Sequence, residues 1–291
     1  MENLPSVAVL GTGLMGTAIG RRLIEAGYSV MVWNRTRDRA DALIGAGAVW
    51  NDSLVEKADR ILLALYDSAA VEEVIERFAA QWRPGAIVID TTTGDPGRLP
   101  GIVERLGRFQ VHYLEAPVSG SSEQTRRGEA TILVGGDRQI AHRCDDLWKL
   151  LAKTVFFLDR PGDAARMKLA SNLVLGLNRA AMAEGLALAS AMGIDPALAL
   201  EVFQGSAAQS RVMETKGRKM VESDYQTQAK LEQHLKDLRI IQQTASDHYV
   251  EIPLTEVHCQ MLQSLVDAGM GQWDNSAVRE YYRRRERSSD A

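Results

Sequence analysis

Cysteine is scarce. Cys144 and Cys259 are the only two in 291 residues. Two thiols so far apart build no disulfide framework and show no metal-ligand spacing, which points to a reducing compartment. Histidine is nearly as sparse, with five scattered copies, so no zinc site is expected. A basic surplus is missing too: the net charge is −4, which argues against a nucleic-acid partner. The C-terminal REYYRRRERSSDA is locally basic, but Glu280 and Glu286 interrupt it, and it reads as a solvated helix end with a frayed tail. No apolar run approaches the roughly 18 residues of a membrane span. The opening MENLPSVAVLG has no basic flank, apolar h-region or cleavage site, so no secretory signal is expected and the default location is cytoplasmic.

What is present suits a globular protein of two domains, with 45% hydrophobic and 25% charged residues. The first half alternates short β-rich runs with helical patterns. Strands are expected at Val7–Leu10, Ser29–Trp33, Arg60–Ala64, Ala86–Asp90, Val111–Glu115 and Thr131–Val134. Alternation at this spacing gives a mostly parallel sheet with helices on both faces. After about Asp159 the helical period dominates as far as Arg284, with Pro196 and Pro253 at helix starts, where proline is tolerated. The expected layout is an α/β domain over residues 1–161, then an all-helical domain over residues 162–291. Clefts at domain junctions are favoured ligand sites.

The stretch VAVLGTGLMG places Gly11, Gly13 and Gly16 in GxGxxG spacing, with Thr12, Leu14 and Met15 between them, after a strand and before a helix. Gly11 permits the tight turn, Gly13 lets a pyrophosphate approach the backbone, and Gly16 allows close helix packing. Dinucleotide binding is the expectation, because the helix start supplies N–H donors and a positive dipole end. NAD-binding loops usually carry an acid after the second strand, for the ribose 2′-hydroxyl. Asn34, Arg35 and Thr36 stand there instead. A carboxylate would repel a 2′-phosphate and an arginine suits one, so NADP(H) is the expected cofactor. Leu65 and Tyr66, and Thr91–Thr93, follow two other strands and should line the same cleft, since ligands lie beyond the carboxyl ends of strands in such sheets.

Past the domain boundary, KLASN puts Lys168 and Asn172 one turn apart on an apolar helix that reads as buried on nearly every side. EAPVSGSSEQ sets Ser119, Gly120 and Ser121 in a small-residue loop whose hydroxyls and N–H groups suit a carboxylate. EQHLKDLRI brings Lys236 beside Asp237 on a later helix. GTGLMG, EAPVSGS, Lys168–Asn172 and HLKDL, in that order, resemble the β-hydroxyacid dehydrogenase family, and WDNSAVREY resembles the family's closing helix. NRT and VSGS look most like its NADPH-dependent glyoxylate/succinic-semialdehyde reductase branch.

The resemblance implies a Rossmann-type doubly wound domain, a helical domain, and a homodimer or homotetramer acting on a small carboxylic-acid substrate. It implies that Lys168 is catalytic, that Asn172 helps orient the substrate, and that Ser119 and Gly120 bind its carboxylate. It also implies that Thr93 and Lys236 contact the cofactor. A lysine fits the chemistry, since reducing an aldehyde needs negative charge stabilised on the new alkoxide and then a proton. Three departures bear on the substrate: Tyr66 is bulky, Thr92 stands for the usual serine, and Arg211 follows Gln209 and Ser210 near the acid pocket. Two rivals stay open, an imine reductase and a non-catalytic NADPH-binding module. Imine reductases typically carry aspartate or tyrosine where Lys168 stands, and a scaffold would be expected to have lost it.

Overall fold

The computed structural model describes residues 6–289, with side chains described as far as Arg284. The basic C-terminal segment forms a helix, Glu280–Ser289, as expected, although Arg279 just before it is buried; the last two residues lie outside the described ones. The chain divides into two compact units, residues 1–168 and 169–291.

The first unit holds one sheet. Its strands are β1 (Val7–Leu10), β2 (Val30–Trp33), β3 (Val49–Trp50), β4 (Arg60–Leu63), β5 (Ile87–Asp90), β6 (His112–Glu115), β7 (Val118–Ser119), β8 (Ala130–Gly135) and β9 (Ala152–Leu158). The order is β3-β2-β1-β4-β5-β6-β8-β7, with β9 on β8. From β3 to β6 every pair is parallel, and β8 runs antiparallel to β6 and β7. The 3-2-1-4-5-6 order is that of the doubly wound dinucleotide fold, so the expected α/β Rossmann-type architecture is the one observed.

Strands buried on both faces read as continuous apolar runs, because helices cover both sides. Val7 and Val9 pack with Ile19 and Leu23 on one face, while Ala8 and Leu10 pack with Leu54 and Val71 on the other. Full burial of each such leucine or isoleucine contributes roughly 1.5–3 kcal/mol. Three strands were not expected from the sequence. β3 and β7 are two residues each, too short for a period. β9 follows the helix Asp145–Leu151 with no turn residue between them, Ala152 being both the helix cap and the first strand residue.

The second unit is helical. It takes most of the 29-residue helix Asp163–Ala191, followed by Pro196–Gln204, Arg218–Glu222, Leu231–Asp247, Pro253–Leu265 and Glu280–Ser289. Proline begins two of these helices, as expected, and the Asp195 carboxylate accepts from the Ala197 N–H at one of those starts. The core gathers Met182, Leu186, Leu200, Leu235, Leu238, Leu262 and Val278. The long helix is not buried on every side: Met167, Val174 and Leu188 are 49%, 57% and 61% exposed. Leu169, Met182 and Leu186 pack inward with several alanines, so apolar composition alone does not tell the covered side from the open one. Among the described residues no helix is long and apolar enough to cross a membrane.

Candidate active site

The glycine loop joins β1 to the helix Leu14–Glu25. Gly11 has φ +95°, and a Cβ there would stand 2.4 Å from the Ala64 carbonyl oxygen. A Cβ on Gly16 would stand 1.9 Å from the Gly11 oxygen, so these two glycines let the turn and the helix close. Gly13 differs, since a Cβ there would meet nothing within 4 Å. It caps the helix with no side-chain hydrogen bond, and the first turn carries no acid. Open backbone beside uncapped N–H donors is what a pyrophosphate requires, so these residues fit a dinucleotide.

Asn34 fastens this loop to the end of β2. Its Oδ1 accepts from the Thr12 N–H at 3.2 Å, and its Nδ2 donates to the Thr36 carbonyl at 2.8 Å. Arg35 donates to Glu73 at 3.3 Å, with the two side chains 78% and 59% exposed. Such a pair is worth about 0–1 kcal/mol and holds the guanidinium only loosely.

At the next strand ends, the Thr91 hydroxyl donates to the Leu63 carbonyl at 2.7 Å, and the Thr92 hydroxyl accepts from the Leu65 N–H at 3.1 Å. Thr92 therefore ties the β5 loop to the β4 loop. Thr93 is half-buried, and Tyr66 is half exposed beside Leu65.

Ser119 ends β7 opposite Thr131 of β8, and Gly120 follows it. Ser121 begins the helix Ser122–Arg126 with a capping box. Its hydroxyl accepts from the Gln124 N–H at 3.2 Å, and its own N–H donates to Gln124 Oε1 at 2.9 Å. The Ser121 oxygen thus has a helix-capping task, which its S-x-x-Q spacing to Gln124 signals.

Lys168 and Asn172 lie one turn apart on the long helix, each 6% exposed. Asn172 Nδ2 donates to Asp237 Oδ2 at 3.0 Å. Asp237 is buried, and its other oxygen stands 3.0 Å from Lys236 Nζ. Lys236 and Asp237 are therefore not the solvated surface pair that neighbouring charges usually form, and they connect to Asn172. Hydrogen bonds to charged groups contribute about 1.5–3 kcal/mol, and this one turns the Asn172 amide. The sequence offers Asp237 only as a neighbour of Lys236, and its partner is 65 residues away.

One turn beyond Asn172, a Cβ on Gly176 would stand 2.6 Å from His234 Nε2 and 3.0 Å from His258 Cε1. The two imidazoles, 24 positions apart in the chain, lie 5.3 Å apart, so the histidines are less scattered than the sequence suggests. Burial, then the nearby Arg179 charge, pushes His258 down to about 3. Arg211 and Gln209 are exposed.

The fold and the glycine loop define a dinucleotide-binding protein. The family model for the NAD-binding domain of 6-phosphogluconate dehydrogenase matches residues 6–158, and the NAD-binding model of NADP-dependent 3-hydroxyisobutyrate dehydrogenase matches residues 162–282. Glyoxylate/succinic semialdehyde reductase 2, chloroplastic, of Arabidopsis thaliana is 30% identical over 94% of this chain and 78% of its own length. The cytokine-like nuclear factor N-PAC of Drosophila melanogaster is also 30% identical, over 92% of this chain, which spans only 46% of that longer protein. A 3-hydroxyisobutyrate dehydrogenase structure from Salmonella typhimurium superposes with TM-score 0.86 at 26% identity, covering 95% of this chain and 99% of that one. The chain belongs to the NAD(P)-dependent β-hydroxyacid dehydrogenase family, a family of oxidoreductases.

Proposed function

We propose that the protein is a cytoplasmic, NADPH-dependent reductase of a small aldehyde acid, such as glyoxylate, succinic semialdehyde or a related β-hydroxyacid partner, with Lys168 moving the proton. The observation that carries this reading is the buried Lys168–Asn172 pair with Asp237 behind it. Bound NADPH supplies a hydride to the carbonyl carbon. Ser119 and Gly120 hold the substrate carboxylate, and Asn172, turned by Asp237, orients the carbonyl. The Lys168 ammonium stabilises the negative charge growing on oxygen and then gives up a proton; in the reverse direction it takes one.

Gly11, Thr12, Gly13, Leu14, Met15 and Gly16 form the pyrophosphate loop in this reading, and Asn34, Arg35 and Thr36 surround the ribose phosphate. Leu65, Tyr66, Thr93 and Lys236 complete the cofactor side. Arg35 supports NADP(H), because its loose surface pairing leaves it available to a 2′-phosphate. We set the domain boundary at 161/162, a reading supported by family matches that end at residue 158 and begin at residue 162. We place the chain in a homodimer or homotetramer, since Val174, Leu188 and Met192 expose large apolar surface. A monomeric mass by light scattering would contradict that.

The experiment is NADPH oxidation against glyoxylate, succinic semialdehyde, methylmalonate semialdehyde, tartronate semialdehyde and one cyclic imine, repeated with NADH. Turnover of a semialdehyde, faster with NADPH, is expected. Turnover of the imine alone would replace this reading with imine reduction, and NADPH binding without turnover of any substrate would favour a non-catalytic module.

A further inference from the structure

Glu115 ends β6 and opens the EAPVSGS segment, and it is only 4% exposed. Both its oxygens reach the start of the long helix. Oε1 accepts from the Gly162 N–H, and Oε2 accepts from the Ala165 N–H at 2.8 Å. Ala165 stands three residues before Lys168. The neighbouring glycines make room for this contact. A Cβ on Gly135 would stand 2.9 Å from Ala164 Cβ and 3.2 Å from Glu115 Oε1, and Gly162 has φ +89°.

This is a costly way to begin a helix. Burial pushes the Glu115 carboxyl up, the two N–H groups and Arg166 pull it back, and the Asp90 charge pushes it further up. Asp90 is its register partner across β5 and β6. A serine or aspartate just before the helix would satisfy the same donors at the surface. A local cap, however, fixes a helix only to its own preceding residue. Glu115 fixes it to the carboxyl end of β6, four residues before Ser119. Asp90 serves the threonine loop in the same manner, accepting from the Thr92 N–H and the Tyr113 hydroxyl, each at 2.8 Å.

We infer that Glu115 is a positioning residue: it sets where Lys168 stands relative to the Ser119–Gly120 loop. The inference rests on the proposed reductase reading. A reacting group misplaced by about 1 Å can lose on the order of 100-fold in rate. Glu115→Gln keeps the size of the side chain but turns an amide NH2 towards one of the two N–H donors.

The test measures turnover per NADPH-binding site, KM, NADPH affinity and the deuterium isotope effect with NADPH labelled at the transferred hydrogen. Wild type and Lys168→Ala are measured first. A wild type that turns over and a Lys168→Ala variant that does not uphold the reductase reading. Wild-type silence, or an active Lys168→Ala, removes that reading and this inference with it. Given an intact reading, Glu115→Gln should lose roughly 10- to 100-fold in turnover per site, with KM and NADPH affinity within about twofold. Its isotope effect should rise, because the chemical step has slowed. Partial unfolding would lower the number of binding sites but leave turnover per site and the isotope effect unchanged, and that result overturns the inference. Should Glu115→Gln not fold, Glu115→Asp takes its place. Its carboxylate is one methylene shorter and reaches at most one donor, so an intermediate loss with a raised isotope effect is expected. Full activity in Glu115→Asp overturns the inference.

Discussion

The glycine loop of the first unit and the polar interior of the second are both built for charge, by opposite means. The loop uses backbone N–H groups within six residues, so its requirement is space, and glycine at fixed intervals supplies it. The interior uses side chains brought together from afar. Asn172 meets Asp237 across 65 residues, and Lys216 meets both Asp274 oxygens at 2.9 Å across 58. Arg179 is buried near Asp237 and Asp274, and burial pulls it down to about 10. The backbone loop tolerates no added atom where it closes on itself, at Gly11 and Gly16, whereas the side-chain interior tolerates almost no lost charge.

The largest effect should come from adding one methyl group to the loop. Gly16→Ala places a Cβ against the Gly11 carbonyl, a contact backbone cannot yield to, so a loss of about 4 kcal/mol or more is expected by denaturant titration. Gly13→Ala has open space at the same loop and should cost at most about 1 kcal/mol while weakening NADPH binding at least tenfold. Equal stability losses in the two variants would show that the loop is not built by close approach.

Removing a charge from the interior comes next. Asp274 is fully buried and also accepts from the backbone N–H groups of Gln228, Ala229 and Ser276. Asp274→Asn strands the Lys216 ammonium and should cost about 3 kcal/mol or more. A change under about 1 kcal/mol would mean that the ammonium finds water instead.

A smaller effect follows from His258. Its folded value is depressed from 6.5 to about 3, so between those limits the unfolded chain binds more protons than the folded one. Stability is therefore complete above about pH 6.5 and falls as the pH drops, by about 2 kcal/mol at pH 5. The difference in Tm between wild type and His258→Leu, which has no such proton to bind, should change with pH over this window. A constant difference would contradict the burial of a neutral imidazole.

The same contrast explains what was legible in the sequence. Gly11, Gly13 and Gly16, and strands such as VAVL and IVID, are local patterns, and they stand where expected. Lys168 and Asn172 were legible as a polar pair on an apolar helix. Asp237, Glu115 and the His234–His258 contact were not, because their partners lie on other elements and no spacing encodes them. Ser121 belongs by composition to a small-residue loop, while the Gln124 three residues on makes it a helix cap. β9 was hidden by the absence of a turn before Ala152.

Lys168 as the proton donor is tested most directly by the turnover of Lys168→Ala beside wild type, followed by NADPH absorbance with whichever carbonyl acid of the panel the wild type reduces best. A loss of roughly 100- to 10,000-fold is expected, the range of a removed general acid, with NADPH affinity retained. Turnover within a few-fold of wild type would contradict it, and the proton would then have to come from another group.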